Sequence, residues 1–96
     1  MRKLVAIRLC NVVFYLRIVT QKEWGTCLVL RDRISKGEKM RLRDIANWCK
    51  GHSISYTHKF IYRKDIPLSE NIWNLYWYIR FQIEEYLGNT EIQSKK

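Results

Sequence analysis

The chain has 96 residues, 47% of them apolar, and a formal net charge of +9 from eighteen Lys/Arg against nine Asp/Glu. That length suits one domain, residues 1–96, with a modest core, and four Gly and one Pro argue against a disordered or linker-like chain. Three widely spaced cysteines, Cys10, Cys27 and Cys49, do not make a disulfide framework, and no apolar run reaches the ~18 residues of a membrane span.

This cysteine usage implies a reducing, cytoplasmic setting, or a nuclear one in a eukaryotic host. The opening MRKLVAIRLCNVVFYLRIV has the outline of a secretory signal. Arg8, Asn11 and Arg17 interrupt its apolar region and no small-residue cleavage site follows, so a removed leader is not expected.

In chain order, Leu4–Val19 is apolar almost throughout. Its Val and Ile content favours strand, over about Val12–Val19, and leaves Leu4–Cys10 as a preceding strand or a short helix. Gln21–Gly25 reads as a connection. Cys27–Arg33 reads as a strand, extending to about Ile34, that pairs with Val12–Val19 as a hairpin. Ser35–Glu38 is a turn in which Gly37 can take a positive φ.

Met40–Lys50 has helical spacing, with Leu42, Ile45, Ala46 and Cys49 on one face. Gly51-His52-Ser53 breaks it. Ile54–Lys64 alternates as a strand, with Ile54, Tyr56, His58, Phe60 and Tyr62 on one side and Ser55, Thr57, Lys59 and Arg63 on the other. Ser69–Leu87 is the clearest helix. Ile72, Leu75, Tyr76, Ile79, Ile83, Tyr86 and Leu87 share a face expected to support the core, and Trp73, Trp77 and Phe81 form a second row. Ser69 is the expected cap, Glu70 complements the dipole, and Gly88 is the expected stop before a polar, frayed tail over residues 89–96.

The expected fold is therefore a small α+β domain. An antiparallel sheet of about three strands (Val12–Val19, Cys27–Ile34, Ile54–Arg63) is packed on one face by the helices Met40–Lys50 and Ser69–Leu87. A winged helix-turn-helix is the alternative.

Charge is unevenly distributed. Residues 31–64 carry a net +7, and residues 65–91 a net −4. Phosphate is a dense anionic target, and clustered Lys/Arg bind it through counterion release without exact geometry. The candidate nucleic-acid contacts are Arg31, Arg33, Lys36, Lys39, Arg41, Arg43, Lys50, Ser53, Ser55, Lys59, Arg63 and Lys64. The amides opening the Met40–Lys50 helix would add to phosphate attraction. Tyr56, Phe60 and Tyr62 are available for base stacking if their face is exposed.

Leu42–Lys64 also resembles a helix-turn-helix DNA reader. Ala46 would be the small residue at the helix contact, Ile45 and Cys49 would lie inside, and Gly51 would stand at the turn. The resemblance implies that Ser53, Ser55, Lys59 and Arg63 face the groove.

Cys49-x2-His52-x5-His58 has only one tight pair and is read as ordinary thiol and imidazole side chains, with no metal or other cofactor expected. No GxSxG, phosphate loop or HExxH is present, so no enzymatic activity is expected. The expected function is a non-catalytic nucleic-acid-binding protein, with DNA favoured over RNA: a small microbial, phage or viral regulator. The alternative is an inhibitor or adaptor that docks an acidic protein surface, anchored by Trp48, Trp73 or Trp77. A homodimer fits the small size, and no membrane partner is expected.

Overall fold

The computed structural model describes residues 3–94, with side chains over 3–88. The fold is α+β, with strands β1 (Lys3–Leu9), β2 (Val12–Ile18) and β3 (Ser55–Phe60) and helices α1 (Gln21–Ser35), α2 (Leu42–Gly51) and α3 (Leu68–Ser94). The chain forms two compact units, Met1–Ile61 and Tyr62–Lys96.

The first unit contains one open sheet of order β1-β2-β3, antiparallel throughout. The apolar run Leu4–Val19 is two strands rather than one. Leu9 pairs with Val12, so Cys10-Asn11 is a two-residue hairpin loop, and Cys10 takes φ 55°. Hairpin loops of this length need a positive φ, usually supplied by Gly or Asn. Here a cysteine supplies it, which is why no Gly or Pro marks the turn in the sequence.

Asn11 fastens the far edge of the same sheet. It is wholly buried, its Nδ2 donates to the Ile61 carbonyl at 3.0 Å, and its own carbonyl accepts the Ile61 amide at 2.7 Å.

The strand expected over Cys27–Ile34 is instead the second half of α1, and the expected connection Gln21–Gly25 is its first turn. Thr20 caps the helix: its hydroxyl accepts from the Glu23 amide at 3.1 Å, while the Glu23 carboxylate accepts from the Thr20 amide at 2.9 Å. This reciprocal pair satisfies amides that have no partner inside the helix. Cys27 and Leu30 are buried and Glu23 and Ile34 half-buried, a spacing of four, three and four that marks the inward stripe.

The helix α2 forms close to its expected bounds and buries Ile45, Ala46 and Cys49. Its exit turn uses Ser53, not Gly51, at φ 57°. Gly37 takes φ 79° after α1, as its place in the turn predicts.

The register places Val5, Ile7, Val12, Phe14, Leu16, Ile18, Tyr56, His58 and Phe60 on one side of the sheet. The helices α1 and α2 lie against this side, α1 over β1 and β2 and α2 over β3. Phe14 and Leu16, on the central strand, are completely buried there.

In the second unit, α3 begins at Leu68, and the Pro67 carbonyl accepts the Asn71 amide at 3.1 Å, so Ser69 lies inside the first turn rather than capping it. The helix passes through Gly88 to Ser94, and residues 95 and 96 of the expected polar tail lie outside the described residues.

Asn71 is 2% exposed and binds the entering segment. Its Oδ1 accepts the Arg63 amide at 3.0 Å, and its Nδ2 donates to the Arg63 and Pro67 carbonyls at 2.8 and 3.2 Å. The expected core face of α3 is exposed. Ile72, Leu75, Tyr76, Ile79, Ile83, Tyr86 and Leu87 range from 37% to 72% accessible, whereas Asn71, Tyr78 and Phe81 are buried.

Candidate nucleic-acid interface

Of the twelve residues expected to contact phosphate, the ten in the first unit do not share one surface. Arg31 and Arg33 are on α1, not on a strand, with Lys36 at the helix end and Lys39 in the following loop. Arg41 precedes α2, while Arg43 and Lys50 lie on it with Asn47 along its solvent side. Ser53 is in the turn after α2, and Ser55 and Lys59 are on β3. Arg63 and Lys64 belong to the second unit.

Several of these charges have local acidic partners. Arg33 forms a two-point pair with Glu38, through Nε at 2.9 Å and through its terminal nitrogen. The hydrogen bond from Arg33 holds the Glu38 carboxyl below its ordinary range and raises the guanidinium in turn. Lys36 lies 3.0 Å from Asp32, and Arg63 is paired with Asp65, with Nε to Oδ1 at 3.0 Å. The start of α2 is occupied too: the Asp44 carboxylate accepts the Arg41 amide at 2.8 Å. A carboxylate at a helix N-terminus already takes the favourable position an incoming phosphate would use.

The helix-turn-helix resemblance fails at its second helix, because Ser55–Phe60 is the edge strand β3, paired to β2 from Val12↔Phe60 to Arg17↔Ser55. A strand in the sheet cannot be inserted alone into a groove as a recognition helix is. Tyr56 and Phe60 are on the inner side of the sheet, where the Tyr56 ring lies 6.0 Å from that of Phe14, and so are not presented for stacking; Tyr62 is exposed beyond the strand.

The opposite side of the sheet is different. Alternation along the strands sends Leu4, Ala6 and Arg8 (β1), Val13, Tyr15 and Arg17 (β2), and Ser55, Thr57 and Lys59 (β3) to this open face. All but Val13 and Tyr15 are exposed, and no carboxylate is among them.

Arg8 and Lys59 flank Val13 in one cross-strand row, so their backbones are two strand spacings, about 10 Å, apart. Arg17 lies four residues along β2 from Val13, about 14 Å away. Tyr15, half-buried, stands between these positions with Ala6 and Thr57 beside it. Among the described residues the face therefore offers three cations, two hydroxyls and one phenol ring on a rigid backbone. Comparison with known proteins finds no match. No protein family, curated protein or solved structure resembles this chain closely enough to assign it.

Of the residues singled out in the sequence, the open face unites only Ser55 and Lys59. Thr57 was legible as a neighbour of Ser55 and Lys59 on one strand side, but Arg8, Arg17 and Tyr15 were not, because the basic excess lies in residues 31–64, whereas the sheet joins β3 to strands about 40 residues earlier. The signal was available in the alternation of Leu4–Arg8 and Val13–Arg17, once the turn at Cys10-Asn11 is granted.

Other candidate chemistry does not assemble. Cys49 is buried, His52 is exposed and packs at a tilt on Trp48 at 4.4 Å, and His58 lies near Phe14 at 5.7 Å. Among the described residues no three His, Cys, Asp or Glu side chains are grouped to hold a metal ion. Burial raises the Cys27 thiol above its usual range, which keeps it protonated and unreactive. Among the described residues no helix is long and apolar enough to cross a membrane.

Proposed function

We propose that this protein is a non-catalytic nucleic-acid-binding module whose contact surface is the open face of its sheet. The observation that carries this reading is the set Arg8, Arg17 and Lys59 on one acid-free face around Tyr15. Cations spread over about 10 by 14 Å of sheet suit an extended phosphate backbone. A single aromatic ring with neighbouring hydroxyls gives stacking and hydrogen bonding of low sequence selectivity, which fits single strands better than duplex. The exposed cations of α1 and α2, Arg31 among them, add long-range attraction without fixing a register.

The test is a titration of labelled single-stranded DNA, single-stranded RNA and duplex DNA across salt concentrations. Three phosphate contacts to a single strand give a slope of log K against log salt of about −2. Binding absent at low ionic strength, or insensitive to salt, contradicts the proposal.

The adaptor reading finds its anchors Trp73 and Trp77 exposed on α3. Yet Glu70, Glu84 and Glu85 are on that helix against Arg80 alone over residues 68–88. With only Arg80 beside the rings, the helix carries no excess of cations to attract an acidic partner. A pull-down that returns one protein and is unaffected by nuclease would favour this second reading.

A further inference from the structure

The exposed apolar face of α3 is too large to be explained as scattered surface residues. Ile72, Trp73, Leu75, Tyr76, Trp77, Ile79, Ile83, Tyr86 and Leu87 are each between 37% and 72% accessible. Taking ~200 Å² for a whole side chain of this kind, they expose about 900 Å² on one helix. The largest apolar patch of a typical monomer is about 300–600 Å², and one partner of a stable protein interface contributes about 800 Å².

The centre of this face has a definite pattern. Ile72, Tyr76, Ile79, Ile83 and Tyr86 follow one another at four, three, four and three residues. That alternation is the seam along which two helices interlock side chains into each other's gaps. It runs for about 21 Å at the rise of an α-helix.

Beside the seam are Trp73, Leu75, Arg80, Gln82 and Leu87, which bring one charge. Trp73, Tyr76 and Trp77 already pack on one another, with centroids 5.4–5.9 Å apart, and the Arg80 guanidinium lies 5.1 Å over Trp77. Glu84 and Glu85 fall outside the seam, and the buried Tyr78 and Phe81 lie on the reverse side of the helix.

We infer that α3 pairs with the α3 of a second copy of this chain along Ile72, Tyr76, Ile79, Ile83 and Tyr86. The charge balance selects this occupant. A chain of net charge +9 repels its own copies over most surfaces, and along the uncharged seam each copy brings only the flanking Arg80. The inference is independent of nucleic-acid binding.

Sedimentation equilibrium of the full chain tests it. The mass is expected to be twice the 11.7 kDa of one chain at micromolar concentration. Ile79→Glu with Ile83→Glu, both exposed in the isolated chain, is expected to weaken self-association at least 100-fold while leaving the circular-dichroism spectrum unchanged. Val29→Glu, at an exposed apolar position on α1, is expected to leave the dimer intact.

Ile79 is the midpoint of the seam, so with full overlap it faces its own counterpart in either relative direction. Ile79→Cys in a Cys10→Asn background is therefore expected to yield a covalent dimer on mild oxidation, a readout that does not depend on the glutamate variant folding. A chain that stays at 11.7 kDa up to ~100 µM overturns the inference. So does a dimer that survives Ile79→Glu/Ile83→Glu, or one that the Ile79→Cys substitution fails to cross-link. A monomer that instead takes up a different protein or neutral-lipid vesicles through this face overturns it as well.

Discussion

Asn11 and Asn71 do the same job in different units: each uses a side-chain amide as a substitute for strand or turn pairing. The Asn11 amide gives the Ile61 carbonyl a donor at the sheet's edge, and Asn71 binds both the amide and the carbonyl of Arg63. Removing the donor takes this partner from a part-buried carbonyl. Asn11→Ala is therefore expected to destabilise the chain by about 1–3 kcal/mol in urea unfolding. At the start of α1, Thr20→Ala removes the hydroxyl acceptor of the Glu23 amide and is expected to cost about 1 kcal/mol.

Glu23 adds a pH dependence. The Thr20 and Val19 amides hold its carboxyl below the ordinary value of 4.5. A depressed folded-state value means that the contribution is present above the unfolded value and is lost as pH falls through the folded one. In thermal melts, the advantage of the native chain over Glu23→Gln is thus expected near neutrality and is expected to vanish well below pH 4.5. Thiol titration gives a separate check. Cys10 is exposed while Cys27 and Cys49 are buried, so one thiol is expected to react in the native protein and three after unfolding.

At the scale of elements, legibility followed how many signals agreed. For α2, periodicity and flanking breaks coincided, and β3 alternated cleanly over Ser55–Phe60, so both were readable. Over Gln21–Ser35 they conflicted. Leu28, Val29 and Leu30 gave a β-like run, yet Thr20-x-x-Glu23 is a helix-start signature, and the cap with the Cys27/Leu30/Ile34 stripe prevailed. The hairpin at Cys10-Asn11 was hidden because a cysteine took the positive φ.

In α3 the helix itself was plain, but not the row it buries. Apolar residues occupy more than one side, so periodicity alone could not show that Tyr78 and Phe81 are buried while the Ile72–Tyr86 row is exposed. The cations were legible as a composition, not as a place. Their spacing in the chain said nothing of the register that sets Arg8 and Arg17 beside Lys59.

At the scale of the whole molecule, each unit carries its own kind of surface. An acid-free sheet face carries fixed cations, and an apolar helix face carries a seam suited to a second copy. If both roles hold, a dimer presents two basic faces, and avidity raises affinity for long strands above that for short ones when both faces reach one strand. Cations held by carboxylates contribute less. The pairs Arg33–Glu38, Lys36–Asp32 and Arg63–Asp65 are all partly exposed, and exposed ion pairs are weak, so their loss is expected to alter stability little.

The most direct measurement is the salt dependence of single-strand binding by two triple variants, Arg8→Gln/Arg17→Gln/Lys59→Gln and Arg33→Gln/Lys36→Gln/Arg63→Gln. Both remove three charges. If the sheet face holds the phosphates, the first flattens the slope of log K against log salt by about 2 and the second leaves it nearly unchanged. Equal slopes in the two variants, or a larger loss in the second, would contradict that assignment.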